Sequence, residues 1–207
     1  MLPYFFTSFI SFTVLYNAIE YLLVSSKAEF YTQKSFYKQI KWRGELIGMI
    51  SHMIFPTWVI VLVLTSCPEK GKLGWFTDME CRLKPQASYA TFVAAYLGYL
   101  SYDFVIRLKL FYKDKSKHNH EVIHHLVAFC GYATSSIAGF GMPGCGLLLT
   151  AIDLTSIFLA AKEIIPKDWE TCTLVNKLTF FVAFTVVRII GTPFLWYWCG
   201  FEVLAGW

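Results

Sequence analysis

The chain has 207 residues, of which 56% are hydrophobic and 15% charged. A soluble domain carries about a quarter charged residues, and here the apolar residues gather in runs of about twenty, the length that crosses a bilayer, so a water-soluble globule is excluded. The net charge of +4 is no nucleic-acid footprint, because the basic residues sit in short loops between apolar runs and report topology instead.

Six spans are predicted, over residues 2–24, 44–66, 88–112, 120–140, 142–161 and 173–199. The first run lacks a basic leader and a small-residue cleavage site, so it reads as a span rather than a signal peptide. No repeat, low-complexity tract or linker divides the chain, and residues 1–207 read as a single transmembrane domain. The loops after spans one, three and five hold Lys27, Lys34, Lys38, Lys41 and Arg43; Arg107, Lys109, Lys113, Lys115 and Lys117; and Lys162, Lys167 and Lys177. Against these, the second loop has only Lys70, Lys72, Arg82 and Lys84, diluted by Glu69, Asp78 and Glu80. The positive-inside rule then puts loops one, three and five in the cytosol and the N-terminus in the lumen.

That topology places Cys67 and Cys81 in an oxidising compartment, where a disulfide closing their loop would contribute roughly 3 kcal/mol; two unpaired thiols are the alternative. Pro56 and Pro193 fall inside predicted spans and are expected to kink them. Met142-Pro143-Gly144 makes a short lumenal turn, so spans four and five form an antiparallel hairpin.

The candidate site lies in residues 118–162. His124 and His125 enter the membrane about one turn below the cytosolic surface, and Asp153 lies inside the next span. Ionisable groups at such depth cost roughly 2.5–3.5 kcal/mol each on insertion scales, so they mark function by default. His52 on span two, Asp103 on span three and Arg188 on span six extend the layer. Helical spacing gathers Tyr96, Tyr99, Asp103 and Arg107 on one face, Thr150, Asp153 and Ser156 on another, and Thr185, Arg188 and Thr192 on a third. Such stripes face protein or a cavity, because lipid cannot satisfy them. The expected fold is therefore all-α: a polytopic bundle or barrel of about six transmembrane helices around a polar-lined, lipid-accessible cavity open to the cytosol.

Several of these groups also have plain structural readings. Asp103 can pair with Arg107 at i, i+4, and Arg188 can serve as counter-ion to Asp153 or Asp103. A lone His52 suits an interhelical hydrogen bond. Arg107, Lys109 and Lys162 are expected to snorkel to the interface, and Glu20 and Glu45, near span ends, need no function.

His120-Glu121-Val122-Ile123-His124 matches the His-Glu-x-x-His pattern of zinc metalloproteases, in which histidines at i and i+4 hold the metal and the glutamate activates water. A membrane-embedded zinc protease is thus one alternative. Against it, His120 is expected in the basic loop ahead of the helix, and Asp153 stands in Ala151-Ile152-Asp153-Leu154, which lacks the third-ligand pattern of membrane zinc proteases.

Taken together, Lys41-Trp42-Arg43 and Ser51-His52, Gly98-Tyr99-Leu100-Ser101-Tyr102-Asp103, His124-His125, Asp153-Leu154-Thr155-Ser156, and Arg188 with Pro193 resemble, in order and spacing, the TLC-domain family over about residues 40–195. The family's best-known members are the ceramide synthases. The resemblance implies a membrane protein of the endoplasmic reticulum that handles lipids and regulates lipid composition, by binding or by acyl transfer. In that reading His124 or His125 is the reacting imidazole, Asp103 or Asp153 orients it, and Arg43, His52, Asp103 and Arg188 bind substrate. No cofactor or metal is expected; acyl-CoA is the co-substrate and membrane lipids the partners. An acyl-CoA-dependent N-acyltransferase of ceramide synthase type is the sharper alternative. Ceramide synthases carry a His-Asp-x-x-Asp segment before Ala-Lys, whereas only Asp153 precedes Ala161-Lys162 here, so the chain looks closer to the smaller TLC-domain proteins. Family members usually continue through one more span, so the chain is expected to stop short of that helix.

Overall fold

The computed structural model describes residues 1–65, 67–71, 78, 80, 87–137, 153–166, 168–194 and 197. Among them all regular structure is helical: α1 (Leu2–Ser25), α2 (Glu29–Thr32), α3 (Phe36–Thr65), α4 (Ala87–Lys113), α5 (Lys115–Ile137), α6 (Ser156–Ile164) and α7 (Glu170–Phe184), with short 3₁₀ turns at Pro68–Lys70 and Asp153–Thr155. A π-helical segment, Thr185–Gly191, continues α7. Pro193 follows after one residue, Thr192. Proline has no N–H and its ring crowds the carbonyl four residues back, and a π turn is one of the ways a helix loosens to accommodate that. By contrast α3 runs through Pro56 as one helix of 30 residues.

Three stretches are long and apolar enough to cross a bilayer: Leu2–Ser25, Phe36–Thr65 and Glu170–Phe194. On α1 the side chains of Phe6, Ile10 and Val14 stay exposed, as do Leu174, Leu178, Phe181 and Val182 on α7. Contiguous apolar faces of this kind mark lipid contact. The chain is an integral membrane protein built from helices.

Helices α4 and α5 lie close to predicted spans three and four, with one correction. The predicted loop before span four is helical: α4 ends at Lys113 and α5 begins at Lys115. Asp114 joins them, its N–H donating to the Leu110 carbonyl at 3.1 Å and its carbonyl accepting from the His118 N–H at 3.3 Å. Aspartate is a favoured N-cap residue, and the charged run Lys113–Lys117 masked the helix start. His120 therefore stands on the helix, not ahead of it. The second correction concerns Asp153, which opens a 3₁₀ turn ahead of the short α6 instead of lying within a long helix. The Met142-Pro143-Gly144 turn, Thr150 and Cys81 lie outside the described residues. Cys67 is buried and disulfide-bonded.

The chain divides into two compact units, Met1–Gly48 with Ala90–Ala138, and Met49–Tyr89 with Gly139–Trp207. In the first, α1 runs parallel to α4. Ser8 Oγ donates to the Ala95 carbonyl at 2.6 Å, the Phe12 ring meets Tyr99 at 5.1 Å, and Tyr16 meets Tyr102 at 6.1 Å. Gly98 makes this approach possible: a Cβ there would meet the Phe5 carbonyl oxygen and lie 2.9 Å from Ser8 Cβ. Both α3 and α5 run antiparallel to α4. Glu45 and Glu121 meet Arg107, while Gly48 lies near Tyr99 and Tyr132 packs on Tyr96 at 4.8 Å. Phe92, Tyr96, Tyr99, Leu100, Tyr102, Asp103, Ile106 and Leu110 are all buried, so α4 is the core helix and its polar stripe faces protein, as expected. In the second unit α6 packs on α7, with Asn176 Nδ2 donating to the Phe158 carbonyl at 2.9 Å.

Candidate functional site

The sequence-predicted residues fall into three groups. The first is built on α4. Asp103 is 1% exposed, and its Oδ2 lies 3.0 Å from Nδ1 of His125 on α5. The same oxygen is 3.5 Å from Arg107 Nε, one turn on, so the i, i+4 pair foreseen from spacing is present. The rest of this arrangement was not foreseen. Arg107 was expected to snorkel to the interface, yet its side chain is only 12% exposed. Its Nη1 donates to Glu45 Oε1 on α3 at 2.7 Å and to Glu121 Oε2 on α5 at 3.3 Å. Glu121 in turn lies 3.1 Å from Nδ1 of His118, which is buried one helical turn earlier. A buried guanidinium is retained where its charge is paired and its hydrogen bonds are met; here three carboxylates from three helices do both.

His124 stands beside His125, ring centroids 5.4 Å apart and planes at 82°. Neighbouring residues on a helix point about 100° apart. Accordingly His125 is half-buried against Asp103, while His124 is exposed. With a carboxylate at Nδ1, the far nitrogen of His125, Nε2, is left to act as base or hydrogen-bond acceptor.

His120 and His124 sit one turn apart on α5, both exposed, so the helical half of the His-Glu-x-x-His pattern does form. Its glutamate does not stand free. Glu121 is held by Arg107 and His118, which argues against a role as the base that activates a metal-bound water.

The second group is Arg43. It is 2% exposed, ion-paired through Nη1 with Glu20 Oε2 on α1, and set 4.1 Å over the centroid of the Tyr16 ring. Trp42 packs between Phe30 and Tyr31 at 5.7 and 5.8 Å. Burial raises the Tyr31 phenol above its ordinary value, so it stays neutral. The Lys41-Trp42-Arg43 stretch thus pins α1 and α2 to the start of α3, and Glu20 has a partner that sequence did not suggest.

The third group lies in the second unit. Arg188, on the π segment, donates from Nε to Thr155 Oγ1 at 2.9 Å and from Nη2 to Ser156 Oγ at 2.8 Å, with Asp153 Oδ1 3.7 Å away. Of the two counter-ions considered for Arg188, the structure gives Asp153. Asp153 thus lies within ion-pair distance of Arg188, while Asp103 lies beside His125. His52 is half-buried on α3 within the same unit.

The sequence matches a family model described as the TLC domain over residues 41–206. No curated protein and no solved structure matches the chain.

Proposed function

Because the chain belongs to the TLC-domain family, we propose that it handles membrane lipids, with His125 as the reacting or binding imidazole and Asp103 as the carboxylate that orients it. The observation that carries this reading is the 3.0 Å approach of Asp103 Oδ2 to His125 Nδ1 on a buried face. The chemistry that suits the pair is acyl transfer from acyl-CoA to a lipid amine. The amine nitrogen bonds to the thioester carbonyl carbon and the carbon–sulfur bond breaks. His125 Nε2 takes the amine proton and returns it to the departing thiolate. Arg188 and Arg43 would then act on lipid binding through the helices they fasten, because both guanidiniums already hold protein partners.

In the proposed setting, the endoplasmic reticulum with a lumenal N-terminus, the histidines lie toward the cytosol, where acyl-CoA is found. One contact supports this: Lys113 Nζ sits 4.5 Å over the Tyr37 ring, so the first and third loops share a side.

The test is lipid analysis of cells lacking the protein and re-supplied with the wild type, His125→Ala, His124→Ala or Glu121→Gln. His125→Ala should behave as the deletion and His124→Ala should keep part of the activity. A full rescue by His125→Ala would reject the reading. A change confined to ceramides identifies N-acyl transfer, and a broad shift in phospholipid acyl chains identifies a regulator of composition.

A further inference from the structure

We infer that Arg107 is a positioning residue: clamped by Glu45 of α3 and Glu121 of α5, it fixes the Asp103 carboxylate so that Nδ1 of His125 carries the proton and Nε2 stays free. This rests on the proposed role of His125. In the sequence Glu45 needs no function and Glu121 has a role only in the zinc-protease alternative.

The geometry supports it step by step. Asp103 and Arg107 lie one turn apart on α4, close enough to pair. Arg107 Nη1 is held at 2.7 Å by Glu45 and at 3.3 Å by Glu121, on the two helices that flank α4. That leaves Nε, on the near edge of the guanidinium, 3.5 Å from Asp103 Oδ2. The planar fork of arginine makes this division possible, because its donors keep fixed directions, whereas a lysine ammonium is a point charge on a flexible stem. Oδ2 is also the oxygen facing His125 Nδ1, at 3.0 Å. A neutral imidazole carries its proton on one nitrogen, and a carboxylate close to one nitrogen favours the proton there; at His125 this works through the ion-pair approach to Nδ1, which is not an aligned hydrogen bond. Fixing Oδ2 therefore fixes which nitrogen of His125 is available for chemistry. His118 and Glu121 brace the far side, Nδ1 to Oε2 at 3.1 Å.

The tautomer can be read directly. Nitrogen NMR of the full chain, labelled with ¹⁵N-histidine and reconstituted in phospholipid nanodiscs at a pH where the imidazole is neutral, separates Nδ1–H from Nε2–H. His125→Gln assigns the signal. The wild type should show His125 as the Nδ1–H form. Arg107→Gln should lose that form as the majority species. So should the double substitution Arg107→Gln with Glu45→Gln, which removes guanidinium and carboxylate together and so keeps a folded reference if the single change does not fold. Arg107→Lys, which keeps the charge but not the fork, should fail to restore it. A wild-type His125 in the Nε2–H form, an unchanged spectrum in the folded Arg107→Gln or double variant, or full rescue by Arg107→Lys would each overturn the proposal. The spectrum needs no lipid product, so this inference and the lipid reading can fail separately.

Discussion

At the scale of single residues, Arg107 sets the energetics of the first unit. Breaking a buried ion pair by removing one partner leaves the other charge uncompensated and costs about 3–5 kcal/mol. Arg107→Ala should therefore destabilise the detergent-solubilised protein by about that much, measured as the loss of monodisperse protein after graded heating. Glu45→Gln alone should cost less, since Arg107 keeps Asp103 and Glu121. A smaller effect from Arg107→Ala than from Glu45→Gln would contradict the network. The Asp103–Arg107 pair was legible in the sequence because its spacing is helical. Its links to Glu45 and Glu121 were not, since those partners stand 62 and 14 residues away. A signal existed: Glu45 and Arg107 both lie near the cytosolic ends of their predicted spans, so their opposite charges sit at matched depth. The error over Arg107 came from treating depth near a membrane end as access to water.

At the scale of elements, the pairing of α1 with α4 depends on Gly98. Adding one methyl group would push against α1 backbone at Phe5 and Phe9, which cannot yield as a flexible side chain would. Overpacking of this kind costs about 1–3 kcal/mol. Gly98→Ala should thus lower thermal stability. Gly131→Ala, on α5 with nothing within 4 Å of its Cβ, should be neutral or stabilising by up to ~1 kcal/mol through helix propensity. Equal effects at the two sites, in the same heating assay, would remove α1 packing as the cause. Hydrophobic run length was enough to locate α1, α3 and α7. The start of α5 was missed because Lys113–Lys117 has the composition of a loop, whereas in the structure backbone hydrogen bonds run through Asp114 and His118 is buried.

At the scale of the whole molecule, the expected membrane sidedness of the loops rests on charge, and the Lys113–Tyr37 contact brings the first and third loops together. Epitope tags at Lys34 and Lys115 should be reached when only the plasma membrane is permeabilised, and a tag at Lys72 only after the internal membrane is opened. A protected tag at Lys115 would place the histidines away from acyl-CoA. Non-reducing peptide mapping should find Cys67 bridged, with Cys81 the partner expected from the lumenal loop; an alkylatable Cys67 thiol would reject the bridge.

The charges gathered at Arg107 also bear on how the chain is made. They come from α3, α4 and α5, so none of these helices enters lipid with its final balance of charge. Glu45 is synthesised long before Arg107, and must wait at the headgroup level or inside the insertion machinery until α4 emerges. Asp103 and Arg107 travel together and can shield one another on the way. Glu121 follows on α5 and completes the set. A chain that stalls between these events displays an unpaired charge within the bilayer, a feature that membrane quality control can recognise and remove. Substitutions at Glu45 should then be felt first as fewer molecules reaching the mature membrane.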